Sequence, residues 1–212
     1  MGLFHTTFTH IHTTTLKPLQ PTVSELSATP RPTSEACYEA AVALLHDPSV
    51  IITLNPVVTD FEEVDSSSPS VKPLLPPLLD SALDAQPPSR SINLHRKFFR
   101  ITDSKPLLGG WYNATISYHI SYLRVDGGCD TVVAAPAGVS IDGSWRVSKD
   151  GASGQDEDEE LILEERATVI CPRIFAPFIR GTLGSTHGEM HDRFVKKWKA
   201  RLSTQERKGH TR

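Results

Sequence analysis

The chain has 212 residues, of which 38% are hydrophobic and 22% charged, and its formal net charge is −3. That length suits one domain with a sizeable core, and so balanced a charge gives no bulk attraction for nucleic acid. No apolar run approaches the ~20 residues of a spanning helix, and "MGLFHTTFTHIHTTT" lacks the basic and then apolar pattern of a secretory signal.

"FHTTFTHIHTTTL", residues 4–16, is rich in threonine and aromatics and reads as a first strand, on which His10 and His12 share a face and His5 takes the other. These histidines read as a polar edge. Pro18, Pro21, Pro30 and Pro32 make the next segment an irregular connection. Thr33 or Ser34 then caps a helix, "SEACYEAAVALLHDP", in which Tyr38, Val42 and Leu45 recur at helical spacing before Pro48 stops it. A short turn of helix, an Asn55-Pro56 break and a strand over 57–64 follow. Residues 65–91, punctuated by six prolines and many serines, read as a long disordered insertion between strands.

From residue 95 onward strands come in close succession. "HRKFFRITD" turns through "KPLLGG" into "WYNATISYHISYLRV", residues 111–125, whose strict alternation marks one dry and one wet face. Tyr112, Ala114, Ile116, Tyr118, Ile120 and Tyr122 take the dry side, so Ile116 is expected buried and Ser117 exposed. Such a ribbon would be roughly 45–50 Å long at ~3.3 Å per residue, long enough to bend around a partner. Asp126-Gly127-Gly128 is a hairpin turn into "CDTVVAAPAGV" and "SIDGSWRVS". The acidic loop 149–160 precedes a last strand, "LILEERATVICP", and then one long helix from about Phe175 to Leu202, with a frayed tail at 206–212. Six successive strands must form an antiparallel meander, and the long helix can bury its apolar side only against the sheet.

That order resembles the helix-grip fold of the START-like (polyketide cyclase and lipid-transport) superfamily, over nearly the whole chain. "HDPSVIITLNPVVTDFEEV" resembles the superfamily's exit from helix into second strand. "FRITDSKPLLGGWYNATISYHISYLRVDGGCDTVVAAPAGVSIDGSWRV" is similar to an uncharacterised fungal branch with this strand–strand–Ala-Pro–Trp arrangement. The expected fold is therefore α+β: a curved antiparallel sheet of about seven strands around a C-terminal helix, with short helices between strands 1 and 2, in a single domain over 1–205. The resemblance implies a cavity between sheet and helix that takes an apolar small molecule. Its expected lining is Tyr112, Ile116, Tyr118, Tyr122, Glu165, Phe178 and Leu183.

Catalytic signals are sparse. There is no nucleophile elbow, phosphate loop or dinucleotide fingerprint. His187 and His191 in "HGEMH" stand at i and i+4, but Gly188 replaces the zinc-protease glutamate and no third ligand is evident, so both read as surface residues and no metal or other cofactor is expected. Glu165 shares parity with Leu161, Leu163, Ala167 and Val169, which turns it inward; there burial would raise its pKa and make it an acid or polar anchor, or else Arg166 or Arg100 would neutralise it. Gly181, Gly184 and Gly188 read as tolerated solvent positions of the helix. Three widely spaced cysteines, Cys37, Cys129 and Cys171, suit a reducing, cytoplasmic location. "RFVKKWKARL", with Phe194, Trp198 and Leu202, and Gly2 with Thr6 leave membrane contact a minor expectation. The expected function is binding, transport or sequestration of an apolar or aromatic molecule. The alternatives are a cyclase or hydratase-type enzyme on the same cavity, or an interaction module whose cavity has collapsed.

Overall fold

A computed structural model describes residues 4–17, 32–68, 74, 96–107, 112–149 and 160–209, with side chains at all of these but 105–107, 112–114 and 205–209. The elements are β1 (His5–Leu16), α1 (Ser34–Leu45), α2 (Pro48–Leu54), β2 (Val58–Val64), β3 (Lys97–Leu107), β4 (Tyr112–Val125), β5 (Gly128–Ala135), β6 (Val139–Lys149), β7 (Leu161–Pro172) and α3 (Ala176–Gly209). The seven strands form one sheet in the order β1-β7-β6-β5-β4-β3-β2, antiparallel throughout. With α3 lying on its inner face, this is the helix-grip arrangement. Most of the 65–91 insertion and of the acidic loop lies outside the described residues. Leu74, within the insertion, is fully buried against Phe98 on the outer face of the sheet.

Local chemistry accounts for the elements. Thr33 caps α1, its hydroxyl accepting from the Ala36 amide at 3.2 Å. Asp47 caps α2 through the Ser49 amide, with Pro48 at the first helical position. Gly127 takes φ +69° in the β4–β5 hairpin, and a Cβ on Gly128 would lie 1.8 Å from the Trp145 carbonyl oxygen. Only glycine fits there. β7 alternates cleanly, with Leu161, Leu163, Glu165, Ala167, Val169 and Cys171 all inward and buried.

α3 is longer than the sequence suggests, 34 residues or about 51 Å. Its inward stripe runs Leu183, His187, His191, Phe194, Trp198, Leu202, all buried. Phe194 and Trp198 are wholly enclosed by α1, α2 and the sheet, so this apolar stripe is not free to meet a membrane. Among the described residues no single helix is long and apolar enough to cross one. The bent pair α1–α2 passes that test on length and composition, but its apolar residues from Ala40 to Leu54 are core.

One expected face is corrected, and one expected lining residue is exposed. Ile116 is 38% exposed, as Ser117 is exposed beside it. β5 pairs with β4 only from His119 onward, so among the described residues the first half of β4 has β3 as its one strand neighbour and none of them covers Ile116. Phe178 is 66% exposed, because the stripe of α3 that meets the sheet passes through Leu183 and Ile179 rather than through it.

Candidate functional site

The concave face carries two separate apolar clusters. The larger joins α1, α2, the far half of α3 and the inner residues Phe99, Ile101, Ile120, Tyr122 and Trp145. The smaller joins Val169, Cys171, Ala176 and Leu183, with Phe8, Val139, Ile141 and Ile179 against it. Between them the register sets three small side chains side by side: Ala167 opposite Gly143, and Gly143 opposite Thr131. A Cβ on Gly143 would stand 2.5 Å from the Thr131 hydroxyl, so that row stays low. Around it Tyr118, Val133, Ile141 and Met190 are only half-buried although they belong to the inner side. The row itself is buried, while its flanks beneath the first half of α3 are incompletely covered, an outline that suits a narrow trough.

Polar groups hold each flank. On one side the Tyr118 hydroxyl donates to Asp103 Oδ1 at 3.1 Å, and Asp103 is 4% exposed. Burial and then the neighbouring carboxylate hold the Tyr118 pKa far above its usual range, so the phenol stays protonated. On the other side stands a cluster of imidazoles. Glu165 Oε2 lies 3.0 Å from His187 Nδ1 and 3.5 Å from His191 Nε2. The other nitrogen of His191 meets the Thr14 hydroxyl at 2.9 Å, and its ring lies 5.0 Å from that of Trp145. The rings of His10 and His187 stand edge-on at 5.1 Å, those of His12 and His191 at 4.4 Å. Gly184 and Gly188 face the two β1 rings, which lie 3.9 Å from where a Cβ would be on each, an ordinary contact distance.

Several sequence expectations change here. His187 and His191 are 7% and 1% exposed, not surface residues, and His10 and His12 face them rather than form an outer polar edge. Glu165 is inward as expected, but its partners are imidazoles, since Arg100 and Arg166 pair with Glu62 and Glu164 on the outside. Burial alone would raise the Glu165 pKa; the contacts with His187 and His191 outweigh it and hold the carboxyl below its usual value. His10 and His12 are held below theirs, chiefly by burial and next by the imidazoles of α3.

A family model, Domain of unknown function (DUF7053), matches residues 10–200. The chain belongs to that family. No curated protein matches it. Among solved structures, it is similar to TTHA0849 from Thermus thermophilus, with 12% identity, TM-score 0.44, and coverage of 94% of this chain and 99% of that one. It is also similar to the Zhui aromatase/cyclase from Streptomyces sp. R1128, with 10% identity, TM-score 0.46, and coverage of 93% and 96%. Both are too distant to carry an activity across.

Within this DUF7053 domain the expected lining residues therefore separate. Tyr118 and Glu165 stand on opposite sides of the low row, and Leu183 packs in the smaller cluster. Tyr122 is core: it is 2% exposed and its hydroxyl donates to the Leu45 carbonyl. Ile116 and Phe178 are exposed, and the Tyr112 side chain lies outside the described residues. The sequence reading missed Asp103, His10, His12, His187 and His191 as parts of the site. Among the described residues no group of three or more His, Cys, Asp or Glu side chains is placed to hold a metal ion.

Proposed function

We propose that the protein binds an apolar or aromatic small molecule in the trough between the sheet and the first half of α3, to carry or sequester it. The observation that supports this most is the row Ala167–Gly143–Thr131 between two unconnected apolar clusters, with Val133, Ile141 and Tyr118 left half-buried beside it. Closed cores do not leave large inward side chains uncovered on both sides of a line of small ones. The ends of four elements support this reading. Phe4, Ile116, Ile174, Phe175 and Phe178 are all exposed, and all sit where β1, β4 and α3 begin and β7 ends. An apolar ligand would enter at that end.

A cyclase or hydratase-type enzyme is the second reading, favoured by one observation: a buried carboxylate beside two imidazoles can take up and return a proton. Turnover of a ligand found to bind would separate the two.

The test is a fluorescence titration with an apolar dye such as anilinonaphthalene sulfonate on the wild type and on Val133→Trp. Wild type should bind saturably. Val133→Trp should lose most of that binding with little change in melting temperature, because the added ring fills open space. A strongly destabilised Val133→Trp, at the ~1–3 kcal/mol typical of overpacking, together with no saturable binding by wild type, would contradict the reading and favour an interaction module with a collapsed cavity.

A further inference from the structure

Four buried side-chain atoms among the described residues have no aligned hydrogen-bond partner: His10 Nε2, Glu165 Oε2, His187 Nδ1 and His191 Nε2. They all belong to one cluster. His187 Nδ1 and His191 Nε2 converge on Glu165 Oε2 at 3.0 and 3.5 Å without a well-aligned hydrogen bond, so each keeps hydrogen-bonding capacity. Buried polar atoms without an aligned partner are rare, and four in one cluster point to room for a polar group of a ligand. The supporting side chains are already fixed. His191 is held through its other nitrogen by Thr14 and faced by Trp145, and Glu165 sits on a strand paired along both sides, to β1 and β6.

We propose that this cluster is the polar end of the trough and takes a hydroxyl group, phenolic or enolic, carried by the apolar ligand. The inference rests on the binding reading above and names the chemical class of its ligand. Ala167 is the next inward residue after Glu165 on β7, and Gly143 the next inward residue from Trp145 on β6, so the low row of the floor adjoins the carboxylate. A ring lying on that row brings its substituent to Glu165 and His187.

The donor and acceptor inventory selects the group. A hydroxyl both donates and accepts at one oxygen. Its proton goes to Glu165 Oε2, and its lone pairs meet an imidazole N–H at His187 Nδ1 or His191 Nε2. A ketone only accepts and leaves Oε2 unpaired. A carboxylate puts a second negative charge beside Glu165. An ammonium satisfies Oε2 but offers nothing to an imidazole N–H. A metal ion would need three donors around one point, which these side chains do not provide.

Isothermal titration with three probes of one shape tests this: naphthalene, 2-naphthol and 2-naphthoate, at neutral pH where the naphthol keeps its proton. Wild type should bind 2-naphthol at least ~10-fold more tightly than either other probe, the size expected for a hydrogen bond to a buried charged group. Glu165→Gln should bring the naphthol-to-naphthalene ratio close to one while naphthalene still binds. His187→Ala, at the more accessible end of the cluster, should lower the same ratio and serves if Glu165→Gln does not fold. Naphthalene binding with no preference for the hydroxyl, or a preference unchanged in both variants, would overturn the inference and leave the binding reading intact. Saturable binding by none of the probes would overturn both. A stoichiometric transition metal in the purified protein, lost in Glu165→Gln, would also overturn it, since the unpaired atoms would then be metal ligands.

Discussion

Trp198→Ala is expected to remove about 3–5 kcal/mol of stability, the range for deleting a fully buried aromatic. Trp198 is wholly enclosed at the meeting of α1 and α3, and its indole N–H donates to the Cys37 carbonyl at 3.0 Å. The deletion therefore opens a cavity and also removes that hydrogen bond, while the Cys37 carbonyl keeps its helical partner within α1. Domains have only ~5–15 kcal/mol in total, so urea denaturation should show a large fall in midpoint or no folded baseline. Trp198→Phe keeps most of the volume and should lose much less. Equal losses in the two variants would mean that the indole N–H, not the packing, dominates. A loss below ~1 kcal/mol for alanine would mean that α3 does not seat on α1 as described.

Acid should unfold the protein early, and the imidazole cluster sets the sign. The folded pKa values of His10 and His12 lie below the ordinary 6.5. The unfolded chain therefore binds their protons first, and their contribution is full above pH 6.5 and declines as pH falls below it. Glu165 is held below its ordinary 4.5, so its contribution is full above that pH and is lost as pH falls through the lower folded value. Each group adds a slope of at most about 1.4 kcal/mol per pH unit. The Glu165 charge raises the folded pKa of both β1 histidines, so Glu165→Gln should steepen the loss just below pH 6.5. His10→Gln with His12→Gln should flatten it. Thermal melts from pH 8 to 4 read both. A wild-type melting temperature constant from pH 7 to 5 would contradict the packed cluster.

The fold was legible because its signals are local and periodic. The alternation in β4 and β7, the glycine turn at 126–128 and the run of strands before a long helix leave few ways to bury the apolar faces. The end of an alternating segment was less legible. Alternation shows which side Ile116 takes, but not that β5 stops short of it. The histidines were missed for a different reason: polar residues on a helix default to solvent. Counting back from Leu202, Trp198 and Phe194 by the same three or four residues lands on His191, His187 and Leu183, so the inward stripe was readable as geometry before it was readable as chemistry. The parity of β1 likewise groups His10 and His12 with Phe8, Thr14 and Leu16, the inward set. What no single-strand pattern contains is the pairing of β1 with β7, which brings those rings beside Glu165.

The trough itself is tested most directly by methyl NMR of the wild type titrated with 2-naphthol. Neighbouring valines on β5 supply the internal control: Val133 is on the inner side, whereas Val132 packs with Phe98 and Leu74 on the opposite face of the sheet. The methyl resonances of Val133, Ile141 and Ile179 should shift saturably with one affinity, and those of Val132 should stay in place. Saturable shifts confined to Val132 and the outer face, or no shifts at Val133 and Ile141 at saturating ligand, would contradict a binding site between sheet and helix.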